Sequence, residues 1–260
     1  MQTRRIPTGE RKAQIGAAFG AAAGRYEESA GVQRLVAAHL AEMAARERLP
    51  EDAHILEIGC GTGLLTREIR ARWPGATLIA TDLAPEMLEA AARDGAASRL
   101  IEMDGEAPAF DGPWFDLILS SLAFQWFSDL PRALARLHGL LRPGASLYFA
   151  TMGAESFASW RAAHEACGES AGIAPYPTLD ALRDLLAPYA DAFVCDEHHA
   201  LPERGGAALA RHFRGLGAQV PREGYAPIGT AAMRRVIRAF DEAGGETSYH
   251  VLYGRITYAP

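Results

Sequence analysis

The apolar residues between positions 54 and 151 form six-residue runs that contain few polar positions. Such runs are typical of strands that are covered on both faces of a parallel sheet. The five runs are HILEIG (54–59), TLIATD (77–82), RLIEMD (99–104), DLILSS (116–121) and SLYFAT (146–151). Helical spacing of apolar residues follows three of them, at 64–73, 85–93 and 130–141. Strands that alternate with helices predict an α/β fold with a mostly parallel central sheet and helices on both faces.

The chain on either side of this region is mostly helical in pattern. From about Lys12 to Arg48 it is rich in alanine, and its apolar spacing predicts two helices that are broken near Gly31. After residue 151 the pattern predicts further helices, a possible strand and an alternating, strand-like end. The helices are expected at 155–166, 178–187, 205–216 and 229–243, and the two strands at 193–201 and 248–258.

Composition and charge exclude several classes of protein. The hydrophobic fraction of 49% and the charged fraction of 22% are ordinary for a globular domain. No apolar run approaches the ~18 residues that a membrane span needs. The net charge of −6 argues against general binding of nucleic acid. The N-terminal stretch MQTRRIPTGERK lacks an apolar segment, so we expect a short disordered leader and no secretory signal.

The cysteines indicate the compartment. Cys60, Cys167 and Cys195 are odd in number and widely spaced, so they predict neither a disulfide framework nor a zinc site. We therefore expect a cytoplasmic protein without a metal.

A glycine-rich turn joins the first predicted strand to its helix. The segment is EIGCGTG at 57–63, where glycines let the backbone turn tightly and let a ligand approach. Alone it is a weak signal, since ordinary turns and dinucleotide sites share it. Asp82 ends the second strand, where a carboxylate can accept both hydroxyls of a ribose. Asp104 ends the third and precedes Gly105 and Glu106, in position to contact the edge of an adenine. Asp82 and Asp104 could instead be helix and loop caps.

The acidic residue that precedes the glycines, Glu57, distinguishes between two classes of candidate ligand. Nicotinamide sites usually carry the G-x-G-x-x-G/A form without an acid like Glu57. A ligand with a cationic amino-acid end and no phosphates suits Glu57, and S-adenosylmethionine is such a ligand. The order E-x-G-C-G-T-G, Asp82 and D-G-E resembles the class I S-adenosylmethionine-dependent methyltransferases over about 54–151.

That resemblance implies a Rossmann-like core and a set of residues that contact the cofactor. The set consists of Glu57, Gly59, Cys60, Gly61, Asp82, Leu83, Asp104, Gly105, Glu106, Ser120 and Ser121. With it we expect an N-terminal helical segment over the cofactor site (1–50) and a core (51–152). The remaining core elements and an inserted helical lid follow (153–246), and a C-terminal strand completes the sheet (247–260).

The stretch DLILSSLAFQWFSDL at 116–130 offers hydroxyls, an amide and aromatic rings but no histidine, cysteine or lysine. A methyl group on a sulfonium is already electrophilic, so a nucleophilic acceptor needs only to be aligned with it. A carboxylate, with an ordinary pKa near 4, needs no base at neutral pH. Ser120, Ser121 and Gln125 therefore suit a carboxylate acceptor. A base could still come from elsewhere in the fold, and the candidates are His198, His199 and His212.

Five further segments resemble the malonyl-acyl-carrier-protein O-methyltransferases of biotin synthesis, over about 12–258. They are FGAAAGRYEESAGVQRLVAAHL (19–40), SSLAFQWFSDLPRAL (120–134), TMGAESF (151–157), HFRGLGA (212–218) and SYHVLYGRI (248–256). The resemblance implies methylation of the free carboxylate of a malonyl group carried on acyl carrier protein, or on coenzyme A, with S-adenosylmethionine.

The same resemblance assigns roles to single residues. Tyr26 aligns with a tyrosine that lies over the cofactor, although the family's S-Y-D element is R-Y-E here. Arg211 aligns with a basic residue that meets the malonyl carboxylate, and Arg214 falls where a lysine is common. Gln125 is expected near the reacting methyl group. Helix packing for Tyr26 and a solvated helix face for both arginines are the structural alternatives.

The charge distribution favours a carrier-protein partner. Residues 200–240 hold seven arginines and two acids, a net +5, which leaves about −11 for the rest of the chain. A basic lid on an acidic body could steer an acidic carrier protein to the site. An ordinary arginine-rich helix is the alternative. Two other functions stay open: methylation of another small carboxylic acid, and assembly of a respiratory complex without methyl transfer. The oligomeric state is not predicted.

Overall fold

A computed structural model of the protein describes residues 8–259. Residues 1–7 of the leader expected over MQTRRIPTGERK lie outside the described residues, whereas its remainder, 8–12, is helical, so the expectation of disorder is wrong there. The strands are β1 (His54–Ile58), β2 (Thr77–Asp82), β3 (Arg99–Glu102), β4 (Phe115–Ser121), β5 (Leu141–Met152), β6 (Ala190–Ala200) and β7 (Ser248–Thr257). The α-helices are α1 (Thr8–Ala22), α2 (Tyr26–Ser29), α3 (Gly31–Ala44), α4 (Leu64–Arg72), α5 (Pro85–Ala91), α6 (Leu130–His138), α7 (Ala158–Ala166), α8 (Leu179–Leu186), α9 (Gly206–Gly215) and α10 (Thr230–Glu242).

The strands form one seven-stranded sheet in the order β3-β2-β1-β4-β5-β7-β6. The pairs among β1 to β5 are parallel, and β7 runs antiparallel to both β5 and β6. The predicted mostly parallel sheet is confirmed. Strand order reverses at β1, with β2 on one side and β4 on the other, and ligands of open α/β sheets bind outside the carboxyl ends of the strands at such a point.

Helices cover both faces of the sheet, as predicted. Alternate residues of a strand point to opposite faces, so neighbouring positions on β1 and β4 enter different cores. Ile55 and Leu117 pack on the face covered by α3, α4, α7, α9 and α10. Leu56 and Ile118 pack on the face covered by α6 and α8. None of the helices described here is long and apolar enough to cross a membrane.

Two expectations about element boundaries were wrong. The strand expected at 146–151 begins earlier, at Leu141, so that β5 includes the tripeptide RPG (142–144), where a bulge shifts the register against β4 and Gly144 has φ +79°. A bulge takes up extra residues without ending a strand. The described part of the N-terminal segment, residues 8–50, contains three helices instead of two. The additional helix is α2, and its Glu27 accepts hydrogen bonds from Thr62 (2.9 Å) and Arg67 (2.9 Å) of the neighbouring core.

Candidate active site

The carboxyl ends of β1 to β4 surround a cavity that is partly open to solvent, here called the cofactor cavity. Ten of the eleven residues predicted to contact the cofactor line it. These are Glu57, Gly59, Cys60, Gly61, Asp82, Leu83, Asp104, Gly105, Glu106 and Ser121. They come together because parallel strands end at the same edge of the sheet, so motifs up to 64 positions apart in sequence meet there.

Ser120 is the exception and does not line the cofactor cavity. Its side chain is fully buried, and its hydroxyl donates to the Ile58 carbonyl at 2.9 Å. Ser120 and Ser121 are neighbours on β4 and point to opposite faces of the sheet. Only one of the two could therefore face a ligand, and the structure selects Ser121.

Glu57 is a buried carboxyl group with an unused oxygen. Thr66 donates to Oε2 at 2.7 Å, whereas Oε1 has no partner among residues 8–259. Burial raises the pKa of Glu57 to about 8, and the negative charge of Asp82 adds to the increase. The hydrogen bond from Thr66 acts in the opposite direction and lowers the pKa. A buried carboxyl oxygen without a hydrogen-bond donor is costly. Its position in the cavity lining fits a ligand that brings a cationic group.

Asp82 holds the shape of the glycine turn. Its Oδ2 accepts from the Gly61 N–H at 2.8 Å and its Oδ1 from the Ala84 N–H at 2.9 Å. Burial raises the pKa of Asp82, and these backbone hydrogen bonds oppose that shift. Gly59, with φ +70°, adopts a backbone conformation that favours glycine. The conformation of the turn therefore depends on Gly59 and on the Asp82 carboxylate, which holds the backbone at Gly61 and at Ala84.

Helix α1 closes the cofactor cavity from outside the sheet. Lys12 lies 2.5 Å from Asp104 Oδ2 and 2.5 Å from Glu106 Oε2, and it lines the cavity. Burial lowers the pKa of Lys12, but its hydrogen bonds to the two carboxylates raise it more. The sequence did not single out Lys12, because a lone lysine in a helix carries no signal of which acids it will meet.

The Lys12 ion pairs should control how firmly α1 is held. We expect Lys12→Met to increase amide hydrogen exchange in residues 8–22 by about 5- to 10-fold, since it removes two partly buried charged contacts. Exchange followed by mass spectrometry would measure this. Lys12→Arg keeps the charge and should exchange like the parent protein. Equal protection of α1 in the methionine variant would show that other contacts hold the helix.

A second cavity, also partly open to solvent, lies beside the first and is here called the acceptor cavity. Its walls come from α7, α9 and the segment 219–228, and they are rich in aromatic rings. These are Phe19, Tyr26, Trp126, Phe157, Trp160, Tyr176, Phe213, Tyr225 and Tyr249. Five residues line both cavities and mark the junction between them: Phe19, Tyr26, Gln33, Leu122 and Trp126.

The three predicted catalytic residues occupy different places. Tyr26 lies at the junction, and burial raises the pKa of its hydroxyl, as do the charges of Asp82 and Glu27. Gln125 lines only the acceptor cavity, and its Nε2 donates to the Leu122 carbonyl at 2.5 Å. Its position is therefore beside the junction and not in it.

Arg211 lies outside both cavities, contrary to the role expected from the resemblance. Helix α9 buries Leu209 and His212 against the core, which turns Arg211 towards solvent. Arg214 lies one helical turn after Ala210 on the same side of α9, and both residues line the acceptor cavity. The structure therefore offers Arg214 where the alignment favoured Arg211.

One group of side chains has metal-ligand geometry but lies outside both cavities. Glu155, His198 and His250 bring ligand atoms within 4.8 Å of one another. The Nδ1 atom of His250 accepts the Glu155 N–H at 3.2 Å, so the ring proton is on Nε2, which donates to Asp196 at 3.1 Å. Because neither nitrogen of His250 has a free lone pair, the group fits internal pairing better than a metal ion.

The comparisons with known proteins agree with this geometry. Residues 56–149 match the family model described as "Methyltransferase domain". The solved structure of the plantazolicin methyltransferase BpumL, in complex with a desmethylPZN analogue and SAH, is similar with a TM-score of 0.56. It shares 15% sequence identity, and the match covers 97% of this chain and 98% of that one. At this identity the likeness concerns the fold. Fold and cavity together define a class I methyltransferase.

Two relatives narrow the class to a family. The chain is 38% identical to the malonyl-[acyl-carrier protein] O-methyltransferase of Magnetococcus marinus, over 96% of this chain and 94% of that protein. It is 44% identical to the biotin biosynthesis bifunctional protein BioCD of Bordetella avium over 91% of this chain, which spans about half (50%) of that longer protein. The chain belongs to the malonyl-[acyl-carrier protein] O-methyltransferase family.

Proposed function

We propose that this protein is an S-adenosylmethionine-dependent O-methyltransferase that esterifies the free carboxylate of malonyl-acyl carrier protein in biotin synthesis. The observation that carries the proposal is the junction between the cofactor cavity and the acceptor cavity. A methyl donor in the first cavity and an acceptor in the second would meet there. The names of the Magnetococcus marinus and Bordetella avium relatives supply the acceptor and the pathway. We place the reaction in the cytoplasm, which the three free cysteines favour.

The residues of the cofactor cavity fit S-adenosylmethionine. The unpartnered oxygen of Glu57 suits the amino group of its amino-acid end, and Asp82 at the end of β2 suits the ribose hydroxyls. Asp104 and Glu106 lie further along the same edge, on the side expected for adenine. When bound, S-adenosylmethionine supplies a methyl group on a positively charged sulfur.

The acceptor cavity fits an anionic group on a long arm. Aromatic walls exclude water, which strengthens charge interactions with a bound carboxylate. Arg11 and Arg214 are the arginines in its lining, and Arg11 Nη1 donates to the Pro221 carbonyl at 2.6 Å. Because an ionised carboxylate is already nucleophilic, the protein only has to bind, orient and desolvate it. No residue is required to take a proton.

Mass spectrometry of malonyl-acyl carrier protein after incubation with the protein and S-adenosylmethionine would test the proposal. We expect the carrier to gain one methyl group that mild base removes, as it removes an ester. Malonyl-coenzyme A run in parallel would show whether the carrier is needed. No methyl on either substrate, with cofactor binding confirmed by calorimetry, would overturn the proposal and favour a role without methyl transfer.

The exposed arginines of the lid support the carrier-protein partner. Arg211, Arg234 and Arg238 are exposed and form no hydrogen bond or ion pair within the described part of the chain. Arg204 and Arg235 are instead paired, with Glu246 at 2.5 Å and Glu169 at 3.2 Å. Positive charge close to the acceptor cavity would speed the encounter with an acidic carrier protein, and salt would weaken this effect.

Arg214 and Arg211 form a matched pair for testing the carboxylate contact. We expect Arg214→Ala to raise KM for malonyl-acyl carrier protein about tenfold or more, because a guanidinium near the carboxylate is lost. Arg211→Ala should change KM less than about threefold, as expected for a solvated charge at the rim. Initial rates at saturating S-adenosylmethionine would measure both. A larger effect of Arg211 would restore the assignment made from the resemblance.

A further inference from the structure

Gln33 of α3 is a buried amide at the junction of the two cavities. It is 8% exposed and lines both of them. Its Nε2 lies 3.4 Å from the hydroxyl of Tyr249, and its Oε1 has no partner among the residues that the structure describes. A buried amide that leaves part of its hydrogen-bonding capacity unused is costly. Such a group at the meeting point of two cavities points to a ligand.

A chain of buried side chains leads from Gln33 away from the junction. The Tyr249 hydroxyl lies 2.9 Å from His212 Nε2, and His212 Nδ1 lies 3.3 Å from Glu203 Oε1. Tyr249 and His212 are each 4% exposed. Burial lowers the pKa of His212, although Glu203 opposes the shift, so the imidazole is neutral at pH 7.

The chain has one consistent direction of donation. The Glu203 carboxylate can only accept, so the ring proton of His212 is on Nδ1. Nε2 therefore accepts from the hydroxyl of Tyr249. The Tyr249 oxygen is then left as an acceptor for Gln33, which must present its amide nitrogen and not its carbonyl oxygen. Glu203 thus fixes, through two intermediates, which way the amide of Gln33 faces.

The fixed amide has a second N–H that is not used by Tyr249, and this N–H can donate to a carboxylate oxygen, whereas the unpartnered Oε1 can only accept from a donor. We propose that Gln33 binds the methyl-accepting carboxylate at the junction through this N–H, and that Tyr249, His212 and Glu203 act as positioning residues that orient its amide. The inference rests on the proposed function and adds a residue that contacts the acceptor. An N–H donor to one oxygen of a carboxylate limits its rotation, which is how alignment contributes to methyl transfer.

Two nearly isosteric variants test the contact with the carboxylate. We expect Gln33→Leu to raise KM for malonyl-acyl carrier protein about 10- to 100-fold, because one hydrogen bond to a charged group is lost. Gln33→Glu should lower kcat/KM by at least about 100-fold, since it places a second carboxylate beside the first. Both variants should bind S-adenosylhomocysteine no more than about threefold more weakly than the parent. An unchanged KM in Gln33→Leu would overturn the proposal.

The positioning chain is tested with variants that separate hydrogen bonding from packing. His212→Gln can still accept from Tyr249 and should keep KM within about threefold, whereas His212→Leu cannot and should raise it about tenfold. Tyr249→Phe should also raise KM about tenfold. Adding Tyr249→Phe to Gln33→Leu should cause no further increase, because both changes remove one contact. Independent, multiplicative effects would show that Tyr249 does not act through Gln33.

The outcomes distinguish this inference from the proposed function. If the parent protein does not methylate malonyl-acyl carrier protein, both are overturned. If it does, and the Gln33 variants keep the parental KM, only the role of Gln33 is lost. Thermal unfolding of each variant identifies loss of folding, and the S-adenosylhomocysteine affinity confirms that the cofactor cavity is intact.

Discussion

Glu57→Gln should weaken binding of S-adenosylmethionine by roughly 100-fold or more. The carboxyl group is buried, and Oε1 lacks a partner among residues 8–259, so a cationic group of the ligand would complete its hydrogen bonding. Removing one member of a buried, charged hydrogen-bonded pair costs about 2–5 kcal/mol, and each ~1.4 kcal/mol is tenfold in affinity. Glutamine can still accept from Thr66, so the fold should be retained. Calorimetric titration would give the two dissociation constants.

The dependence of this affinity on pH has a definite sign. Burial raises the pKa of Glu57 to about 8, so the carboxyl group must lose its proton before it can pair with a cation. Affinity should therefore rise with pH below 8, by roughly tenfold or more between pH 6 and 7.5, where an α-amino group with a pKa near 8 stays mostly protonated. The glutamine variant should lack most of this dependence. An equal dependence in both proteins would assign it to another group.

The contribution of Glu57 to the folding stability of the ligand-free protein should fall as pH rises, opposite to the change in cofactor affinity. The pKa of Glu57 is higher in the folded protein than the value near 4.3 expected when unfolded. The carboxyl group therefore contributes most to stability below about pH 4, and this contribution is lost as pH rises towards 8. Glu57→Gln should unfold at a higher temperature than the parent at pH 8. The difference should narrow as the pH is lowered.

The sheet could be predicted from the sequence because each strand is marked by its own run of consecutive apolar residues. Each apolar run that was expected to be a strand is one, from His54–Ile58 to Ser248–Thr257. The carboxyl-end motifs followed from the same pattern, since parallel strands place their ends together. Ser120 was predicted to contact the cofactor, but its side chain does not face the cofactor cavity. Side chains alternate in direction along β4, and the motif alone did not show which of the two serines faces the cavity.

The acceptor side could not be predicted in the same way. Gln33 and Tyr249 belong to α3 and β7, respectively, and no local motif connects these two elements to the core. Their roles arise from contacts between residues far apart in the chain, such as the hydrogen bond that the Tyr249 hydroxyl donates to His212. Arg211 and Arg214 differ only in their angle around α9, so the choice between them depended on how that helix packs. The resemblance selected residues of α9 but could not show which of its two arginines lines the acceptor cavity.

Gly59→Ala should lower the melting temperature by about 5–15 °C and abolish cofactor binding. Gly59 has φ +70°, which costs a residue with a Cβ about 1–2 kcal/mol. A Cβ built there would lie 2.4 Å from the Cβ of Ala123. Because alanine has no flexible side chain, the backbone must move, at a cost of about 1–3 kcal/mol. Each kcal/mol lowers the melting temperature of a chain of this size by about 2–4 °C. The displaced backbone is the wall of the cofactor cavity.

Gly61 and Ala123 provide the controls that separate backbone strain from overlap. Gly61 also has a positive φ, +55°, but a Cβ there would meet no atom within 4 Å, so Gly61→Ala should lose only the smaller, conformational part of the stability. Ala123→Gly combined with Gly59→Ala removes the overlapping Cβ and should recover part of the melting temperature and some cofactor affinity. Equal losses in the Gly59 and Gly61 variants would mean that strain, and not contact with Ala123, requires glycine at position 59. The tight approach of the turn to the segment after β4 would then have no part in shaping the cavity where the methyl donor is expected.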